Sequence, residues 1–194
     1  MIENNRKKGT DMHFFYFKFL LMMAAVIIFF SCQQQQKIEE KTSGYNTFKF
    51  EFEITLPGSP EVIYDAITGD ISGWWDHKFS ENPARFFIEA KPGGGFWEYF
   101  DEKGENGVLH ARVIYADRGK FLRMDGPLGL SGQAIQMVHT YSLTKVKPDS
   151  TQLKLSVHAA GEMDDSIAPI VEKVWRHFII DQFKPYVEAG KHLK

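Results

Sequence analysis

The chain has 194 residues, 43% apolar and 25% charged, with a net charge of -2 at pH 7. That leaves room for one ordinary domain plus an appendage and excludes a collagenous or wholly disordered polypeptide. No basic excess and no Lys/Arg cluster marks the part expected to fold, which argues against nucleic acid as a partner. Seventeen Phe and four Trp supply large rings that either fill a core or line a cavity.

Arg6, Lys7, Lys8 and Lys18 precede Phe19–Phe30, in which every residue is apolar. Twelve such residues span about 18 Å as a helix, short of a hydrocarbon core of about 30 Å, so a signal peptide fits better than a membrane span. The run ends at Phe29-Phe30-Ser31-Cys32 and is similar to a bacterial lipoprotein signal cleaved before Cys32, with Phe29 in place of the usual Leu. On that likeness, residues 1–31 are the signal peptide, Cys32 carries the lipid, and residues 32–46, with their four consecutive Gln, form a polar tether. An uncleaved anchor helix and an ordinary signal peptide are the alternatives, and either Met1 or Met12 serves as the start. In each case the domain leaves the cytoplasm for the cell envelope, facing the periplasm or the exterior. A lone Cys permits no internal disulfide.

From Phe48 the period is two: Phe48, Phe50, Phe52, Ile54 and Leu56 alternate with polar residues, which predicts a strand with one buried face. Ser59-Pro60-Glu61 then carries an N-cap, a first-position Pro and an acid suited to the helix dipole, starting a short helix to about Thr68. A second short helix is expected over Ile71–Lys78, carrying Trp74 and Trp75. The turn chemistry of Gly93-Gly94-Gly95, Asn106-Gly107 and Asp117-Arg118-Gly119 separates strands at 86–90, 96–100 and 108–116. A short strand at 121–124 and a glycine-rich loop at 126–132 follow. Ile135, Met137, His139, Tyr141 and Leu143 share one face of a long strand, and Leu153, Leu155, Val157 and Ala159 one face of the last. Asp164, Asp165 or Ser166 caps a final helix running to about Ala189, apolar over a wide band, with Pro185 expected to kink it late. An antiparallel sheet with one buried face needs a cover, and only this helix is long and apolar enough to provide it. The fold class is therefore α+β, with about seven strands curled around the C-terminal helix.

Over residues 47–190 the order of Phe52-Glu53-Ile54, Pro60–Thr68, Trp74-Trp75, the Gly94-Gly95 turn, Leu122-Arg123-Met124, Gly126-Pro127-Leu128-Gly129 and Thr151–Leu155 resembles the START-like superfamily, also called SRPBCC. Within it the chain is similar to the branch named after activators of the ninety-kilodalton heat-shock protein ATPase. The resemblance implies a helix-grip fold enclosing a cavity for a small apolar ligand or lipid. Where many relatives carry Thr-His-Ser-Gly, this chain has Val157-His158-Ala159-Ala160-Gly161, which turns His158 outward.

Candidate ligand-binding residues are Trp74, Trp75, Trp97, His110, Arg112, Met137, His139 and Tyr141. Of the two faces of the 96–100 strand, either Trp97 and Tyr99 or Phe96, Glu98 and Phe100 point inward. His110 and Arg112 share a parity and either form a polar spot in the cavity or face solvent. His139, between Met137 and Tyr141, is a hydrogen-bonded core residue or a ligand-orienting group. There is no His-x-x-x-His pair, no phosphate loop and no Gly-x-Ser-x-Gly elbow, so neither metal nor cofactor is expected and no catalytic residue is assigned. The favoured expectation is a monomeric, membrane-tethered binding protein. One alternative is an enzyme resembling polyketide cyclases, using His139, Tyr141 and Arg112. The other is an interaction module like the chaperone activator.

Overall fold

The computed structural model describes residues 44–193; the expected signal peptide and Cys32 lie outside the described residues. Eight strands form one antiparallel sheet: β1 (Tyr45–Pro57), β2 (Gly69–Asp70), β3 (Arg85–Ile88), β4 (Gly95–Tyr99), β5 (Gly107–Asp117), β6 (Phe121–Asp125), β7 (Ile135–Lys147) and β8 (Ser150–Glu162). The spatial order is β1-β8-β7-β6-β5-β4-β3-β2, so the first strand closes on the last. β2 is the strand that raises the expected seven to eight; its two residues pair with Phe87 and Ile88.

Helix α1 (Pro60–Ile67) begins as its sequence requires: Pro60 opens it, and the Ser59 hydroxyl accepts from Val62 N at 3.4 Å. The second short helix does not form. Trp74 N and Trp75 N both donate to Ile71 O, closing a single turn, while Asp70 Oδ1 accepts from Ser72 N at 2.9 Å. That Asx-type bond offers the backbone an alternative to helix. Gly73 is also held against the Tyr186 ring, 2.9 Å from where a Cβ would stand.

The C-terminal helix runs from Ile167 to Glu188 in three parts: α2 (Ile167–Arg176), a π-helical stretch (His177–Phe183) and α3 (Lys184–Glu188). Ser166 stands at the N-cap, yet its side chain makes no cap bond. Asp164 instead accepts from Ser166 N. The irregularity expected at Pro185 lies one turn upstream. A proline lacks the N–H that an α-helix needs, and the hydrogen-bond ladder widens before it, with Lys184 N donating to Ile179 O.

The inner face of the sheet and this helix bury Leu122, Met124, Met137, Tyr141, Leu155, Val157, Trp175, Ile179 and Phe183 to 2% exposure or less. β1 is an edge strand. Its Phe48, Phe50 and Phe52 are half-buried and stack along the strand at 6.3 and 6.5 Å.

Two bulges bend β5. Phe96 pairs with Ala111 but Trp97 with Leu109, which leaves His110 as the extra residue; a second shift falls between Val113 and Tyr115. A bulge reverses the alternation of side chains beyond it. His110 and Ala111 are therefore both buried, and Arg112 is exposed.

At the far end of β8, Gly161 pairs with Asn46 on one side and Ile135 on the other. Its φ is 151°, and a Cβ there would lie 2.1 Å from the Ala134 carbonyl oxygen. Replacing Gly161 with Ala forces the strands apart, and the expected loss is about 2 kcal/mol or more in urea unfolding. A loss within experimental error would show that the strand junction has slack.

Candidate functional site

A pocket of about 540 Å³ opens between the C-terminal helix, the 75–79 segment and the 127–130 loop. Trp75 and Phe79 form one wall, Leu128 and Leu130 a second, and Val171, Val174, Trp175 and Phe178 the helix side. Met137 and His110 reach it from the sheet, and the exposed Lys78, Phe79 and Ile170 rim it. Its lining is predominantly apolar with few polar groups, the usual make-up of a small-molecule site. A second concavity of about 760 Å³ lies over Glu172, Lys173, Arg176 and Asp181. Those charges suit water better than an apolar molecule.

Rings fix the pocket's inner wall. Trp75 stacks on Phe178 at 4.0 Å and meets Trp175 edge-on at 5.8 Å, while its Nε1 donates to His77 O at 3.0 Å. In the 127–130 loop, Leu128 sits at φ 51°. A left-handed conformation costs a non-glycine residue on the order of 1 kcal/mol. That strained residue forms part of the pocket lip.

The polar group at the floor is His110. Its Nε2 pairs at 3.0 Å with Oε2 of Glu98, a carboxyl group with no exposed surface. Glu98 also accepts from Phe79 N at 3.0 Å and Ser80 N at 2.7 Å, which ties one pocket wall to the sheet. Burial lowers the His110 pKa, opposed by the bond to Glu98. With the ring neutral and Nε2–H donating to the carboxylate, Nδ1 remains as a hydrogen-bond acceptor.

The other expected site residues separate. Trp75, His110 and Met137 line the pocket. Trp74 does not; it packs on Phe183 at 4.8 Å in the core. Trp97 faces away from the helix, stacked on Tyr99 at 5.3 Å with Nε1 donating to Glu89, because Phe96 and Glu98 take the inner face of β4. Arg112 is exposed beyond the bulge and does not line this pocket; it meets His110 only at a separate, shallower concavity of about 410 Å³ beside Asp125 and Gln136. His139 and Tyr141 are fully covered against Trp175, at ring distances of 4.9 and 6.2 Å, and are not part of the pocket lining. Arg112, His139 and Tyr141 therefore do not converge, and the acid–base set expected of a cyclase is not assembled.

Sequence reading left Glu98 on one of two possible inner faces and gave it no role; its partner His110 is set by a bulge that alternation cannot reveal. It also passed over a cluster at the rim. Asp76 Oδ1 lies 2.8 Å from His77 Nδ1, and its Oδ2 lies 2.7 Å from His177 Nε2. His177 lies 101 positions from Asp76, so no local motif announces the cluster.

Neither ring nitrogen of His139 has a hydrogen-bond partner among the described residues, and burial pushes its pKa down to about 3. The unfolded chain takes up a proton near pH 6.5, which the folded ring refuses until about pH 3. This residue's contribution to stability is therefore intact above pH 6.5 and is lost progressively as the pH falls to about 3. At full extent the loss is on the order of 5 kcal/mol. His139→Phe should gain stability relative to the parent as the pH is lowered from 7 to 4, measured by urea unfolding at each pH. A constant difference across that range would show that His139 does not titrate in this way.

No protein family profile matches the chain, and no curated protein matches it in sequence. Among solved structures it is similar to the Aha1 dimer from Colwellia psychrerythraea, with 19% identity and a TM-score of 0.51 over 74% of this chain and 98% of that one. It is also similar to Mll3558 from Rhizobium loti, with 21% identity and a TM-score of 0.52 over 70% and 94%. DynU16 of the dynemicin biosynthetic locus matches with 14% identity and a TM-score of 0.50 over 73% of this chain and 48% of that one. At such identities the likeness concerns architecture alone: a curved antiparallel sheet gripping one long C-terminal helix, the helix-grip fold.

Proposed function

We propose that this domain binds a small apolar ligand in the pocket between the sheet and the C-terminal helix, without catalysing a reaction on it. The observation that carries this reading is the 540 Å³ pocket itself, walled by Trp75, Phe79, Leu128, Val174, Trp175 and Phe178. An apolar molecule of that size gains about 25 cal/mol for each Å² it removes from water. His110, held by Glu98, supplies one oriented polar contact to a ligand hydroxyl or amine. The resemblance to the chaperone-activator branch is consistent with the fold shared with the Aha1 structure, but the expected export would keep this chain from a cytosolic chaperone.

The binding domain is held at the membrane by lipid on Cys32; the spacer is shorter than the expected 32–46, because Tyr45 and Asn46 already pair with β8 as the start of β1. Support comes from the charged and apolar order of residues 6–32. Among the described residues no helix is long and apolar enough to cross a membrane.

N-phenyl-1-naphthylamine, a neutral fluorescent probe, should brighten on addition to the protein. Val174→Trp fills the pocket from the helix side and should weaken that binding by about tenfold or more, a change of about 1.4 kcal/mol. Absence of a fluorescence rise, or equal binding by the variant, would rule out this pocket as the ligand site. For the anchor, cells fed labelled palmitate should label the parent chain and leave Cys32→Ser unlabelled and released from the membrane fraction. Labelling of the Cys32→Ser chain would refute attachment at that residue.

A further inference from the structure

We propose that Asp76, His77 and His177 bind one divalent transition-metal ion of the zinc class at the rim of the apolar pocket. The proposal does not depend on what the pocket holds. Two imidazoles and one carboxylate are a donor set suited to zinc, cobalt or nickel rather than calcium or magnesium. Their ligating atoms, His77 Nδ1, His177 Nε2 and an Asp76 oxygen, all lie within 4.8 Å of one another.

Zinc bonds of about 2.0–2.1 Å place tetrahedral donors roughly 3.3 Å apart. The Asp76 oxygens stand 2.7 and 2.8 Å from the two ring nitrogens, closer than that spacing, so admitting an ion requires the rings and the carboxylate to part by roughly half an ångström. His77 sits outside any helix or strand and is exposed, so it can supply that movement. In the structure each ring nitrogen bonds a different oxygen of Asp76. A cation at the centre would replace those two hydrogen bonds with metal bonds, releasing any proton carried by the two ligating nitrogens.

The far side of His177 strengthens the case. Its Nδ1 faces Asp181 Oδ2 at 3.5 Å, which supplies the carboxylate–histidine arrangement that orients metal-bound imidazoles. His177 also begins the π-helical stretch, a distortion frequent at functional sites. His77 lies edge-on against Phe178 at 4.8 Å, a contact that keeps the ring beside the cluster.

Three protein ligands leave the fourth tetrahedral position to water or to an oxygen of a bound molecule, the pattern of open rather than structural zinc sites. Asp76 and His77 both line the apolar pocket. The ion would thus stand beside whatever occupies it.

The test is calorimetric titration of the full-length protein with Zn2+, together with visible absorption of the Co2+ complex. Both are repeated in a Cys32→Ser chain so that the thiol cannot contribute. The expected result is one ion per described cluster in both chains, weakened by about tenfold or more in His77→Ala and in Asp76→Ala. Asp181→Asn should weaken it by about 10–100-fold by removing the carboxylate charge that faces His177 Nδ1. All three substitutions fall on exposed positions, and circular dichroism checks that the variants remain folded. No Zn2+ uptake by the Cys32→Ser chain, or uptake that survives the combined Asp76→Ala and His77→Ala change, would overturn the proposal.

Discussion

Trp175 is the contact on which the rest of the arrangement depends. It projects from the C-terminal helix with 2% of its surface exposed and meets Trp75, Phe178, His139 and Tyr141. Those partners come from the 75–79 segment, the helix and β7. One indole thus joins the three parts of the molecule that must stay together for the sheet to close on the helix. Such a ring contributes through area removed from water and through edge-on geometry with its neighbours. The same indole forms a wall of the pocket, so the open space begins where the packed core ends.

Burial treats the two inner-face histidines differently. His110 reaches its position because β5 carries one residue too many, and it arrives beside a buried carboxyl group that three donors satisfy. His139 keeps the regular alternation of β7 and is walled in by apolar neighbours, with no hydrogen-bond partner among the described residues. The first arrangement gives an oriented polar group at the floor of the pocket. The second gives a neutral ring whose cost appears only when protons become available. Identical side chains on β5 and β7 of one sheet therefore end as an oriented polar group at the pocket in one case and as an unpaired core ring in the other.

The π-helical stretch links the late proline to the rim of the pocket. Widening of the helix before Pro185 starts at His177, the residue that meets Asp76 across the chain. Phe178, next in sequence, stacks on Trp75 in the pocket wall. A sequence constraint felt late in the helix therefore coincides with the helix positions that shape the pocket and its polar rim.

Much of the fold was written in local patterns. Period-two runs marked β1, β7 and β8; Ser59-Pro60 set the start of α1; and the Gly and Asn turns separated the central strands. Such signals are strong because each rests on interactions between residues close along the chain. The site was less legible. Which face of β4 turns inward, that His110 escapes the parity of Arg112, and that Asp76 and His77 meet His177 all depend on a bulge and on contacts between distant segments. Residue order by itself determined the alternating strands, the apolar final helix and the need for one to cover the other. Only the tertiary structure decided which polar groups share a space, because side-chain convergence depends on register and curvature, and a single inserted residue changes both.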